Sequence, residues 1–297
     1  MTSHLGLDLG GTNIKWVVLG SDEQPIADGS IPTERDGGPE HVLERLALAG
    51  HAAIAAAGPV TTAGVGVPGI YNEATGCIEF FTNLPGPWPG HPFAAPLSQA
   101  LGVPVKLVND ARAFTLAEHR VGAGKGCPSL IGVTLGTGVG GGIVIDGKLV
   151  LGLNGTAGEI GHLVIDMRPE APKCGCGNTG CLEAFVGAPR LAEAAGTATA
   201  ADTFAADQRG EPRAHAAVEA WIDHLAIGLA NLVTVLTPDR IVLGGGVANA
   251  GARIIEPLRE RLAAHVHLTD PRHVQLVYAA LGGRAGAIGA ALRGLDA

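Results

Sequence analysis

The chain has 297 residues, of which 46% are hydrophobic and 16% charged; this balance excludes a disordered protein and allows two domains of ordinary size. A formal net charge of −8 argues against nucleic acid as a main partner, because binding phosphate backbones takes a basic surface. No uninterrupted apolar run of ~18 residues and no basic-then-apolar leader is found, so the expectation is a cytoplasmic protein with no membrane partner. Clustered cysteines in that compartment are more often metal ligands than disulfides. Glycine, at 46 of 297 residues, is about twice its usual ~7% and has no collagen period, so it should serve turns and close backbone approaches.

The elements begin with a hairpin. Leu5, Leu7 and Leu9 alternate with His4, Gly6 and Asp8; Ile14, Trp16 and Val18 alternate after the GGT turn, a period of two on both sides of a glycine turn. "EHVLERLALAGHAAIAAAG" predicts a helix ending near Gly58. "TTAGVGVPG" and "VPVKLVND" read as strands buried on both faces, and strands alternating with helices indicate α/β layers. The hairpin theme returns at 130–149, where "DG" at 146–147 makes a two-residue turn. Asp8-Leu9-Gly10-Gly11-Thr12 thus aligns with Thr134-Leu135-Gly136-Thr137-Gly138 as a weak internal repeat. Residues 196–216 predict a surface helix and loop. The spacing of Val218, Trp221, Ile222, Leu225, Leu229, Leu232, Val233 and Leu236 predicts a long core helix stopped by Pro238. "RIVLGGGVANAG" reads as a strand, a triple glycine and a helix start, and "VQLVYAALGGRAGAIGAAL" as a strand and a final helix.

Three glycine loops, "DLGGTN", "LGTGVGGG" and "LGGGVAN", let backbone N–H groups converge on an anion. None fits a Walker pattern. Residues 136–141 match G-x-G-x-x-G, but a strand follows where a dinucleotide site needs a helix. Asn109-Asp110 ends a buried strand and opens a helix. Such residues serve as N-caps, though Ala113 leaves no capping box; equally, ligands collect beyond the carboxyl ends of strands in α/β sheets.

His162, Cys174, Cys176 and Cys181 form the pattern H-x11-C-x-C-x4-C, a complete tetrahedral shell suited to Zn²⁺. A closed shell leaves no water to activate, so the metal is expected to be structural. A Cys174–Cys176 disulfide is disfavoured by its geometry. Cys77 and Cys127 read as isolated core or loop residues. Glu159 and Glu183 flank the cluster.

"GLDLGGTNIK", "VNDARA", "LGTGVGGGIVIDG", "GTAGEIGH" and "CGCGNTGCLE" together resemble the ROK sugar kinases, in order from about residue 4 onward. The resemblance implies an actin-like, ribonuclease H-like duplicated α/β fold with an interdomain cleft. The smaller domain would span 1–109 plus 283–297 and the larger 110–282. It implies ATP and Mg²⁺, held by Asp8, Gly10, Gly11, Thr12 and Lys15, by Gly136, Thr137 and Gly138, and on the adenosine side by Gly244, Gly245 and Gly246. Phosphoryl transfer needs mostly positioning and charge stabilisation, which such loops supply. Asp110 becomes the general base, and Gly69, Asn83, Asn109, Glu159, His162 and Glu183 join it as sugar contacts. Trp88 is either a pocket wall or simply packed. Family members often read "NDAN" where this chain has "NDAR", so Arg112 is expected to make a contact of its own.

The implied reaction is phosphorylation of glucose at its 6-hydroxyl. Mannose, fructose, N-acetylglucosamine and N-acetylmannosamine stand as alternative acceptors, and polyphosphate as an alternative donor. A sugar-responsive repressor is not expected, since the first glycine loop begins at residue 8 and leaves no room for a helix-turn-helix module; a non-catalytic sugar binder is argued against by Asp8, Asp110 and the three loops. The family is commonly dimeric or tetrameric.

Overall fold

The computed structural model describes residues 2–81 and 84–296. Its elements are, in chain order, β1 (His4–Leu9), β2 (Asn13–Leu19), β3 (Pro25–Pro32), α1 (Gly38–Ala57), β4 (Thr62–Val67), β5 (Gly69–Tyr71), β6 (Cys77–Phe81), β7 (His91–Pro92), α2 (Ala94–Leu101), β8 (Val105–Asn109), α3 (Asp110–Val121), β9 (Leu130–Leu135), β10 (Val139–Ile145), β11 (Lys148–Leu149), α4 (Leu182–Val186), α5 (Ala188–Ala195), α6 (Ala200–Gln208), α7 (Pro212–Leu236), β12 (Arg240–Gly244), α8 (Ala252–His265), β13 (Gln275–Tyr278) and α9 (Ala285–Leu295). The chain divides into two compact units: Met1–Gly126 with Lys148–Ala157 and Ala280–Ala297, and Cys127–Gly147 with Gly158–Ala279.

The first unit is built on a sheet of order β3-β2-β1-β4-β8. β1 and β2 form the expected hairpin, with Leu9 opposite Ile14, and β1, β4 and β8 run parallel. The alternation in β1 does not separate a wet face from a dry one: both faces are covered, and Leu5, Leu7, Gly6 and His4 are all buried. α9 covers the face of Gly6 and Gly64, where a Cβ would stand 1.8 and 1.7 Å from the carbonyl oxygens of Ala287 and Ala290. Only glycine lets a helix approach a sheet this closely. Residues 110–126, placed in the larger domain by the sequence expectation, belong to this first unit. There α3 packs along α9, and a Cβ on Gly289 would stand 1.8 Å from the Ala113 carbonyl oxygen. Trp88 is packed in the core, its indole N–H donating to the Leu84 carbonyl at 2.9 Å beside Phe81 and Phe93.

In the second unit β10, β9, β12 and β13 lie in that order, β9 antiparallel to β10 and parallel to β12, which is parallel to β13. The first unit's β2-β1-β4-β8 has the same order and the same directions, so the glycine-hairpin repeat in the sequence is a repeat of topology. Asp146 and Gly147 both take positive φ, as the two-residue turn requires. α7 passes for a membrane span by length and composition. Here its Val218, Trp221, Ile222, Leu225, Leu229 and Val233 form the unit's core with Ile131, Val133 and Leu243. Residues 196–216 are more than the surface helix and loop expected. α6 buries Ala200, Thr203, Phe204 and Ala206, with Phe204 edge-on to Trp221.

Candidate active site and metal centre

The expected site residues divide between the two units. In the first, Asp8 and Lys15 are register partners in the β1–β2 hairpin. The Asp8 carboxyl lies against the first turn of α9, where a Cβ on Gly286 would stand 2.6 Å from Oδ2. Burial, and then the charge of Asp110, push Asp8 up to about 6, against the pull of Lys15. Lys15 is exposed and donates to the Gly283 carbonyl at 3.0 Å.

The loop Gly10–Gly11–Thr12 is held from behind by Thr33, which the sequence reading missed. Thr33 Oγ1 donates to the Gly10 carbonyl at 2.6 Å, and the Thr33 N–H to that of Thr12 at 2.9 Å. Thr33 is fully buried, and no local pattern in the sequence marks it.

Asn109 does what its residue type favours, despite the missing capping box. It is the N-cap of α3, its Oδ1 accepting from the Ala111 and Arg112 N–H groups at 3.1 and 3.3 Å. Its Nδ2 donates to the Gly69 carbonyl at 3.2 Å, so the amide spans from the helix start to the start of β5. Asp110 is exposed at the head of α3, its Oδ1 accepting from the Ala111 N–H at 2.8 Å. Asn83 lies outside the described residues. Arg112 is 1% exposed and donates through Nε to the carbonyl of Ala157. At the far end of the same helix, the buried Glu118 accepts from the N–H groups of Ala123, Ala280 and Leu281 at 2.8 to 3.0 Å.

In the second unit the loop Gly136–Thr137–Gly138 joins β9 to β10. The Ala188 N–H donates to the Gly136 carbonyl at 2.8 Å, and the Val139 N–H to Glu183 Oε2 at 2.9 Å. Gly136, Thr137, Phe204, Gly246, Val247 and Asn249 line a cavity of about 580 Å³. Of the three glycines in the third loop only Gly246 lines it; Gly244 ends β12 and Gly245 backs onto Leu135. The α6 wall was missed, because an Ala-rich stretch carries no local sign of a pocket. The cavity is large enough for a small-molecule group, and Gly136 and Thr137 of the β9–β10 loop are in its lining.

His162, Cys174, Cys176 and Cys181 come together, with one ligand atom from each lying within 4.8 Å of all the others. Cys176 Sγ and Cys181 Sγ are 3.8 Å apart, and Cys174 Sγ and His162 Nδ1 3.5 Å. A tetrahedral ion with bonds of about 2.3 Å to sulfur and about 2.0–2.1 Å to nitrogen would need edges of about 3.8 and 3.6 Å, so the four residues fit one. No disulfide joins them. Burial pushes the Cys181 thiol up to about 12, whereas the Asn178 backbone N–H holds Cys176 low. The Nδ1 of His162 faces the cluster, leaving Nε2 on its other side. Glu159 is exposed just ahead of the turn that carries His162.

Residues 4–294 match the family model described as "ROK family". A glucokinase of Halalkalibacterium halodurans is 33% identical over 311 residues, covering 96% of this chain and 93% of its own length. An N-acetyl-D-glucosamine kinase of Yersinia pseudotuberculosis is 35% identical over 277 residues, covering 89% of this chain and 90% of its own. Among solved structures, a ROK hexokinase of Thermus thermophilus superposes with a TM-score of 0.89 at 37% identity, covering 99% of this chain and 98% of that one.

Proposed function

The chain belongs to the ROK family of sugar kinases, and from that premise we propose that it transfers the γ-phosphoryl group of ATP to the 6-hydroxyl of glucose. Its fold is the actin-like ATPase fold of that family. The observation that carries the reading is the pair Asp8 and Asp110, at the carboxyl ends of parallel strands of one sheet and close enough that the charge of one raises the other.

Asp110 is the general base: an exposed carboxylate at a helix head, free of burial, accepts the proton of the attacking hydroxyl. Asp8 orients the water shell of Mg²⁺, which when bound neutralises phosphate charge. Lys15, the N–H groups of Gly11 and Thr12, and those of Thr137 and Gly138 serve the phosphates, while the N–H groups of Gly10 and Gly136 close their own turns on the Asn13 and Gly138 carbonyls. The cavity beside Gly246 takes the adenosine, with Phe204 as an apolar wall. Gly69, Asn83, Asn109, Glu159, His162 and Glu183 serve the sugar; carboxylates suit this because each can accept from two adjacent hydroxyls. The cysteine–histidine cluster holds structural Zn²⁺ through His162, Cys174, Cys176 and Cys181. The enzyme works in the cytoplasm as a homodimer or homotetramer.

One relative supports a second reading, N-acetylglucosamine as acceptor, since a kinase of that sugar is 35% identical. A coupled assay of ADP release with ATP and Mg²⁺ across a panel of hexoses tests both. Turnover on glucose with little on N-acetylglucosamine, mannose or fructose is expected; the reverse preference replaces glucose, and no turnover on any sugar removes the enzyme reading unless polyphosphate restores it.

A further inference from the structure

Three contacts in the second unit tie the metal cluster to the glycine loop at 136–138. Cys181, a cluster residue that is fully buried, is the N-cap of α4, and Glu183 stands in the first turn of that helix. Glu183 Oε2 accepts from the Val139 N–H at 2.9 Å, while Oε1 lies 3.7 Å from Cys174 Sγ. The carboxylate also packs over the loop itself: a Cβ on Gly138 would stand 2.3 Å from Oε2. One residue beyond α4, α5 begins, and its Ala188 N–H holds the Gly136 carbonyl. Both ends of the loop therefore rest on the segment 181–188.

α4 is only five residues long, about one and a half turns, far below the length at which a helix persists by itself. Its place is set by what holds its ends and its buried side. Leu182 packs on Gly228 of α7; the helix start is held at Cys181.

We propose that a cation in the Cys174–Cys176–Cys181–His162 cluster sets the shape of the 136–139 loop through Glu183, so that metal occupancy controls how well the loop receives a phosphate. Glu183 is in this sense a positioning residue, with Oε2 committed to the loop and Oε1 left for other partners. The inference rests on the phosphate-binding reading of the loop given above.

Amide hydrogen exchange at Val139 and binding of MgADP by calorimetry test it, on zinc-loaded protein, on protein stripped by a chelator, and on Glu183→Ala and Glu183→Gln with zinc content measured. Loss of a hydrogen bond to a charged group should speed exchange and weaken ADP by about tenfold or more. That is expected in stripped protein and in zinc-containing Glu183→Ala. Glu183→Gln keeps an acceptor for Val139 and should retain protection, a rescue that loss of a sugar contact alone does not predict. Unchanged Val139 exchange in zinc-containing Glu183→Ala overturns the link between Glu183 and the loop, and unchanged exchange and ADP affinity in stripped protein or in Cys176→Ser protein low in zinc overturn control by the metal. If the zinc-loaded wild type binds no MgADP, the phosphate reading fails, and the exchange data still decide the link.

Discussion

The charge of Asp110 reaches Asp8. Together with burial it holds the Asp8 carboxyl near 6, well above its ordinary value of 3.8. The two residues lie on parts of the chain about a hundred positions apart, and β4 stands between their strands in the sheet.

This has a consequence for stability. In the unfolded chain Asp8 ionises near 3.8 and in the fold only near 6, so the folded state binds more protons between these values and loses stability as pH rises through them. Asp8→Asn removes that loss. Its melting temperature should match the wild type near pH 4 and exceed it above pH 6, by an amount worth roughly 1–3 kcal/mol, while kinase activity disappears. Thermal melts from pH 4 to 8 check this; a variant less stable than the wild type at pH 8 would contradict it.

Asp110→Asn should lower kcat by about 10²–10⁴-fold with little change in the KM for the sugar. The same change should lower the Asp8 titration somewhat, because the charge of Asp110 is gone while burial, the larger cause, remains. A rise in KM as large as the fall in kcat would make Asp110 a sugar-binding residue instead of the base.

Arg112 is buried on α3 and donates to the Ala157 carbonyl. Arg112→Ala leaves that acceptor without its donor and should cost about 1–3 kcal/mol. Urea unfolding gives the number; a cost within error of zero would mean that the contact is dispensable.

Glu118 gathers three backbone N–H groups, two of them from the segment 280–281 that leads into α9. Glu118→Ala removes the acceptor shared by these part-buried N–H groups, and a loss of about 1–3 kcal/mol is expected. Glu118→Gln should lose less, as one acceptor oxygen survives. Equal losses for the two variants would argue that charge alone matters.

Metal content is the simplest check of the cluster. One zinc per chain is expected by elemental analysis, and Cys176→Ser, which removes an exposed ligand, should bring it well below one. Protein purified without chelator and free of zinc would remove the metal assignment.

The candidate site residues stand out in the sequence because their signals are local. Asp8, the glycines at 10–11 and 136–138, and Asn109-Asp110 sit where a strand ends within a few residues of them. The cluster spacing from His162 to Cys181 is short enough to read directly. Thr33 and Glu118 were invisible for the opposite reason: Thr33 acts on a loop 23 positions away and Glu118 on a segment 162 positions away. Neither sits in a pattern that a period of two or of 3.6 would reveal.

By itself the sequence determined the two glycine hairpins, the long core helix over 217–236 and the four cluster residues, since periodicity, turn chemistry and ligand spacing are properties of neighbouring residues. Tertiary structure alone decided that α3 belongs with the first unit, that α6 walls a cavity, that Asn109 caps a helix while holding Gly69, and that Glu183 spends an oxygen on Val139. Each of these depends on which distant segments meet, and on glycines such as Gly64 and Gly289 that let them meet closely. Those contacts are selected by packing of the whole chain, which no stretch of residues carries on its own.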